Sequence, residues 1–196
     1  EGFLFLCMFD YFSSFERKNP LGTIEAFKQA FGDGQDASLV IKCINGHLFP
    51  REHRTLLDAC RQENITVLDT YLSSGKTRGL IKLCDAFVSL HRSEGFGLPL
   101  AEALAFGKPV IATHFGGSTD FLSEENSMPV RCTVQKTKKK YGAYPKGSHW
   151  AEPDVHHAAE HMQRALKQEV DPHLPSEYSV QEIGQVIQKH LERLSS

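Results

Sequence analysis

The chain has 196 residues, 40% of them apolar, which suits one domain of ordinary size with a filled core and argues against disorder. Its 22 basic and 24 acidic residues leave a formal charge of −2, which argues against a nucleic-acid footprint or a polyanionic membrane binder, so any phosphate recognition must be local. Cys7, Cys43, Cys60, Cys84 and Cys132 are odd in number, far apart and free of any C-x-x-C pair, so neither a disulfide framework nor a zinc ribbon is expected and a reducing, cytoplasmic setting fits.

No apolar run approaches the ~20 residues that a membrane span needs. The first apolar run, FLFLCMF from Phe3, is strand length and has no basic leader. It begins without a cap or turn, which raises the expectation that the chain starts inside a longer polypeptide. Further runs follow in order: SLVIKCI near 38, ITVL near 65, AFVSL near 86 and PVIA near 109. Runs this apolar imply strands buried on both faces, as in a parallel sheet. Crossover helices are predicted between them over Pro20–Phe31, Arg51–Glu63, Thr77–Cys84 and Leu98–Phe106. The alternation predicts an α/β, Rossmann-like, doubly wound and mostly parallel sheet. After Met128 the pattern loosens into KTKKKYGAYPKGSHW, which reads as a polar excursion over the surface. Helices over Pro153–Lys167 and Ser179–Leu194 end the chain.

In such sheets ligands sit beyond the carboxyl ends of the strands, where loops enter helix N-termini. Two such places carry chemistry. Asn19-Pro20 is a strong helix start, because Asn caps free amides and Pro needs no donor at N1. Lys18 stands before it and adds a full charge to the helix dipole, so a diphosphate could be held there with help from Arg17, Ser13 and Ser14. Read alone, Glu16-Arg17-Lys18 is more often a solvated turn before an amphipathic helix, since charge clusters at helix starts are usually surface.

The second place is Glu94-Gly95-Phe96-Gly97-Leu98-Pro99. The glycines let backbone approach a ligand and present N–H donors, and Pro99 opens a helix whose positive end faces the same spot. Glu102 lies about one turn into that helix while Glu94 stays on the loop. Carboxylates repel phosphate, so beside an anion cradle they suit hydrogen bonds from sugar hydroxyls, and a nucleotide-sugar offers both partners. A lone glycine loop would be only a tight turn, but the passage runs for 27 residues from Phe87 to Thr113.

That passage, with VSLHRSEGFGLPLAEALAFGKPVIAT, resembles the donor-binding signature of retaining glycosyltransferases of family 4, or group 1, with the GT-B fold. Glu94 and Glu102 match the family's E-x7-E pair. The likeness extends from FDYFSSFERKNPLGTIEAF through WAEPDVHHAAEHM, so it covers nearly the whole chain but only half of such an enzyme. The resemblance implies that residues 1–196 form the C-terminal, nucleotide-sugar-binding domain, the N-terminal acceptor domain being absent from this chain. It implies that Glu102 binds the ribose diol, Glu94 the hydroxyls of the transferred sugar, the amides from Gly95 to Leu98 sugar and phosphate, and Lys18 the diphosphate, with Glu94 and Lys18 as the catalytic pair. Many members carry Gly-Arg after the first strand and Lys-Gly before the helix. Here Ser13-Ser14 and Lys18-Asn19 stand in those places, leaving Arg17 or a serine as substitute. Gly116-Gly117-Ser118 matches the loop that lines the floor of the donor site, and Tyr71 and Leu72 fall where the base is held.

The reaction so implied is transfer of a sugar from a UDP-, GDP- or other nucleotide-sugar to a glycan or lipid-linked acceptor hydroxyl with retention, without cofactor or metal. Rival readings are a noncatalytic nucleotide-sugar-binding module and a sugar phosphorylase or epimerase on the same fold. His157 and His161 have metal-ligand spacing but lack an acidic third ligand, so a polar helix face is expected. Lys136 and Lys138–Lys140 form a basic run that suits a solvated loop or a peripheral membrane contact. His91 and His114 read as structural. Trp150 and Asp154 are expected to anchor and cap the penultimate helix.

Overall fold

A computed structural model describes residues 2–34, 36–167, 169–178, 181–183, 185 and 188. Six strands, β1 (Phe3–Asp10), β2 (Ala37–Ile44), β3 (Ile65–Asp69), β4 (Ala86–Ser89), β5 (Val110–Thr113) and β6 (Met128–Val130), form one sheet in the order β3-β2-β1-β4-β5-β6. All its pairings are parallel. The expected α/β, Rossmann-like, doubly wound sheet is therefore present.

Burial explains why the strands read so plainly. Along β1, Phe5, Cys7 and Phe9 belong to one core cluster and Leu6 to the other, so both faces are dry and nearly every position is apolar. Helices α2 (Pro20–Phe31), α3 (Pro50–Ala59) and α6 (Val155–Ala165) cover the first face. Helices α4 (Ser74–Leu83) and α5 (Leu98–Ala105) cover the second. A short α1 (Phe15–Lys18) precedes α2. Helix α4 begins three residues before the predicted Thr77, because the Ser73 hydroxyl accepts from the Lys76 N–H at 3.4 Å and caps it. Asp154 caps α6 as expected, accepting from the His157 N–H at 3.0 Å.

Two features depart from the sequence reading. The stretch after Met128 contains β6 and then an antiparallel ribbon of β7 (Cys132–Lys136) and β8 (His149–Pro153). Trp150 lies on β8, ahead of α6, packed on Tyr141 with ring centroids 4.7 Å apart. The helix expected over Ser179–Leu194 lies largely outside the described residues. No helix among the described residues is long and apolar enough to cross a membrane, and all five cysteines are free.

Candidate active site

The strand order sets the site. Numbering runs outward from β1 in one direction through β2 and β3 and in the other through β4 to β6, so the chain reverses between β1 and β4. A crevice opens at such a switch point, flanked by the loops after those two strands. These loops carry Lys18 and Glu94.

The loop after β1 is built from local hydrogen bonds. Asp10 accepts from the Phe12 N–H at 3.0 Å and from Asn45 Nδ2 at 2.7 Å. A turn over Tyr11–Ser13 then leads through Ser14 (φ 70°) into α1. Asn19 adopts a left-handed conformation (φ 50°, ψ 49°), its Oδ1 accepts from the Gly22 N–H at 3.3 Å, and its Nδ2 donates to the Leu90 carbonyl at 2.9 Å. The residue expected to cap α2 therefore also ties the β1 loop to the end of β4.

Arg92 makes the second tie. Its N–H donates to the Arg17 carbonyl at 2.7 Å, its Nη1 to the Glu16 carbonyl at 2.7 Å, and its Nε and Nη2 grip Glu152 of β8 at 2.7 Å each. The guanidinium sits 5.2 Å from the Trp150 ring. The ribbon missed in the sequence thus braces the loops after β1 and β4, and Tyr144 adds a hydrogen bond to Ser93 Oγ at 3.1 Å.

Held this way, two cations converge on Glu94. Lys18 Nζ forms a direct ion pair with Glu94 Oε2. Arg17 Nη1 lies 3.5 Å from Oε1 and donates to the Ser93 carbonyl at 2.7 Å, while its Nε donates to the Ser13 carbonyl at 2.7 Å. Burial pushes the Glu94 carboxyl up, but Lys18 and then Arg17 outweigh it and hold the acid below the usual carboxylate range. Glu94 is therefore an oriented carboxylate, and among the described residues Lys18 Nζ bonds only Glu94, which leaves two N–H donors for another acceptor. The Ser14 hydroxyl donates instead to Glu16 Oε2 at 3.3 Å.

The glycine loop completes the cradle. Gly97 caps α5 at φ +87°, and Pro99 stands in its first turn. The Gly95 N–H turns back to Glu94 Oε1 at 3.2 Å, whereas the N–H groups of Phe96 and Gly97 have no partner among the described residues. Phe96 rests on Phe121 and Tyr178, with centroids 5.0 and 6.1 Å away. Glu102 is half-buried on α5 and its carboxylate has no partner among the described residues. Gly116 and Gly117 serve as a buttress. The Gly117 N–H donates to the Glu94 carbonyl at 3.0 Å, and a Cβ on Gly117 would lie 1.7 Å from the Gly95 carbonyl oxygen.

Beside the cradle lies a cleft of 290 Å³ to which Ser13, Lys18, Tyr71, Leu72 and Pro99 all contribute. The structure thus brings together candidate site residues drawn from three separate loops, those after β1, β3 and β4. It also adds Lys42, which sequence reasoning passed over although a single lysine inside SLVIKCI was a visible irregularity. A larger hollow of 510 Å³ sits at the opposite rim, where Gln62 and Asp33 already bond each other at 2.6 Å.

The histidines are occupied elsewhere. Buried His91 places Nδ1 3.1 Å from Ser89 Oγ and Nε2 3.1 Å from the Phe115 carbonyl, and burial pushes its pKa down to about 4, so it stays neutral. His157 accepts from the Arg131 N–H at 3.1 Å, and His161 meets the Pro129 carbonyl and Arg164 at 3.1 Å each. Cys43, His53 and Asp69 bring possible ligand atoms within 4.8 Å of one another, but His53 is held by the Tyr11 hydroxyl at 3.0 Å and Asp69 faces the Gly46 N–H at 3.5 Å.

Several solved structures share this architecture. Anabaena Alr3699/HepE in complex with UDP and glucose aligns with a TM-score of 0.67 at 16% identity, over 99% of this chain and 48% of that one. The C-terminal domain of LpcC, a glycosyl transferase group 1 family protein from Francisella tularensis, aligns at 0.54 and 17% identity, over 85% of this chain and 75% of that one. A UDP-forming α,α-trehalose-phosphate synthase from Burkholderia xenovorans aligns at 0.62 and 14% identity, over 84% of this chain and 36% of that one. The chain spans about half the length of the Anabaena protein. No curated protein sequence matches it significantly. The family model for glycosyl transferases group 1 matches residues 11–181, most of the chain, and the protein belongs to that family.

Proposed function

We propose that this chain is the donor-binding, C-terminal domain of a two-domain glycosyltransferase that moves a sugar from a nucleotide-diphosphate-sugar to an acceptor hydroxyl with retention at the anomeric carbon. The observation that carries the reading is the meeting of Lys18, Glu94 and the unpartnered Phe96 and Gly97 amides at the switch point, beside a cleft large enough for part of a nucleotide. The Anabaena protein, crystallised with UDP and glucose and with UDP-glucose, supports a nucleotide-sugar as the ligand class.

Departure of the diphosphate builds negative charge on the β-phosphate. Fixed amides at the start of α5 and the two free donors of Lys18 would stabilise that charge most in the transition state, without reorganising. Glu94, kept ionised and oriented by its two cations, accepts from hydroxyls of the sugar and is given no nucleophilic role. Glu102, unpartnered one turn into α5, accepts from the ribose diol. The acceptor, a glycan or a lipid-linked one, is held by an N-terminal domain outside this chain, so residues 1–196 alone bind donor without transferring sugar.

Acceptor-dependent release of UDP or GDP by the full-length enzyme tests this reading. Glu94→Gln and Lys18→Ala are each expected to lower turnover at least tenfold, about 1.4 kcal/mol of barrier. Normal turnover in both variants, or nucleotide release that ignores added acceptor, would reject it.

A further inference from the structure

Lys42 is a buried cation that the proposed reaction leaves without a task. Its side chain rises from β2 two residues before the strand's carboxyl end, is only 5% exposed, and contributes to the 290 Å³ cleft. Nζ makes a single hydrogen bond, to the Cys43 carbonyl at 2.9 Å, and no carboxylate lies within ion-pair distance of it among the described residues. An ammonium has three donors, and leaving two unmet in a nearly dry place is costly. Strand interiors rarely keep such a group unless something satisfies it.

We infer that Lys42 binds the nucleotide half of the donor by donating to a carbonyl oxygen of its base, an inference that rests on the donor-site reading above. Position selects the base over the diphosphate. In the order β3-β2-β1-β4, Lys42 stands on β2, between the Tyr71-Leu72 loop that follows β3 and the glycine loop that follows β4. Two strand spacings, about 10 Å, separate β2 from β4, so a phosphate held by the Phe96 and Gly97 amides lies across the crevice from Lys42. Tyr71, Leu72 and Thr77 border the cleft on Lys42's own side and give it the apolar wall that a flat ring needs. Burial also lowers the Lys42 pKa from its ordinary value. A bound acceptor would favour the charged form and restore some of that loss.

The test is calorimetric titration of this chain with UDP and with GDP, repeated on Lys42→Met and joined to a crystal structure with whichever binds more tightly. Methionine matches the unbranched stem of lysine and removes the ammonium with its charge, so the variant should unfold at the same temperature as the parent or higher. Its affinity for the tighter nucleotide is expected to fall about tenfold, the scale of one charge-assisted hydrogen bond. In the crystal, Nζ should lie within about 3.2 Å of a base carbonyl oxygen. Unchanged affinity in Lys42→Met, an Nζ still bonded only to Cys43, or an Nζ bonded to phosphate would each overturn the assignment. Failure of the parent chain to bind either nucleotide would instead strike at the donor-site reading and take this inference with it.

Discussion

Gly117→Ala probes the site's architecture, because Gly117 packs against the backbone of Glu94 and Gly95. A methyl group there would stand 1.7 Å from the Gly95 carbonyl oxygen and 2.8 Å from the Gly95 carbonyl carbon, both backbone atoms that cannot swing aside. Real Cβ atoms essentially never approach closer than 3.0 Å, so the two loops must part by about 1.3 Å. The movement also strains the Gly117 N–H bond to the Glu94 carbonyl, now 3.0 Å. The sheet and both helix layers lie behind the loops, so the fold should survive with a loss of about 1–3 kcal/mol in urea melts, the usual cost of overpacking. Donor binding should suffer more, because a misplacement of about 1 Å in a positioning element can cost about 100-fold. Gly95→Ala supplies the contrast. Its Cβ would meet nothing within 4 Å, so stability should match the parent while nucleotide-sugar affinity still falls, since the methyl would occupy space at the cradle. Gly79→Ala inside α4, also with open space, should leave donor affinity unchanged and raise stability by about 1 kcal/mol, the helix-propensity gain of Ala over Gly. Equal donor affinity in the parent and Gly117→Ala would refute the claim that this glycine contact positions Glu94.

Other perturbations follow from single contacts. Glu94→Gln removes the charge that Lys18 and Arg17 share, and since both partners are largely shielded, a loss of about 2 kcal/mol is expected in denaturant melts; an unchanged midpoint would mean solvent already screens the pair. Burial pushes the His91 pKa down from 6.5 to about 4, so the unfolded chain takes up the proton first as pH falls. Its contribution is complete above about pH 6.5 and is lost progressively toward pH 4, by up to about 3 kcal/mol, and His91→Gln should flatten that part of the stability-against-pH curve. Arg92→Lys forfeits the two-pronged grip on Glu152 and the hold on the Glu16 carbonyl, so a loss of about 1–2 kcal/mol is expected, accompanied by weaker nucleotide binding because α1 carries Arg17 and Lys18. If nucleotide affinity held while stability dropped, Arg92 would brace the ribbon alone.

What could be read from the sequence was what is encoded locally. Strand β1 was plain because burial on two faces removes alternation, and α2 was plain because Asn19 and Pro20 start it within two residues. The paired acids, the glycine loop and Lys18 were legible for the same reason, each being a spacing within one short stretch. The ribbon was not, since β7 exposes four of its five residues and gains its order from contacts with β8. Strand β6 is three residues long and contains Pro129, which weakens any strand signal. The meeting of Lys18 with Glu94, 76 residues apart, follows only from placing β1 beside β4, and parallel strand order is not written in either loop. Arg92 illustrates the same limit: in sequence it is one charge in HRSEGF, and only the fold brings Glu16 and Glu152 to it.

The central claim is that a diphosphate docks between Lys18 and the start of α5 while Glu94 and Glu102 face hydroxyl groups. The most direct measurement is a crystal structure of this chain with the intact UDP- or GDP-sugar that binds it best. The account predicts phosphate oxygens within hydrogen-bond reach of Lys18 Nζ and of the Phe96 or Gly97 N–H, ribose hydroxyls on Glu102 and sugar hydroxyls on Glu94. A nucleotide bound at the opposite rim, or bound at the crevice with both carboxylates contacting only protein and solvent, would contradict it.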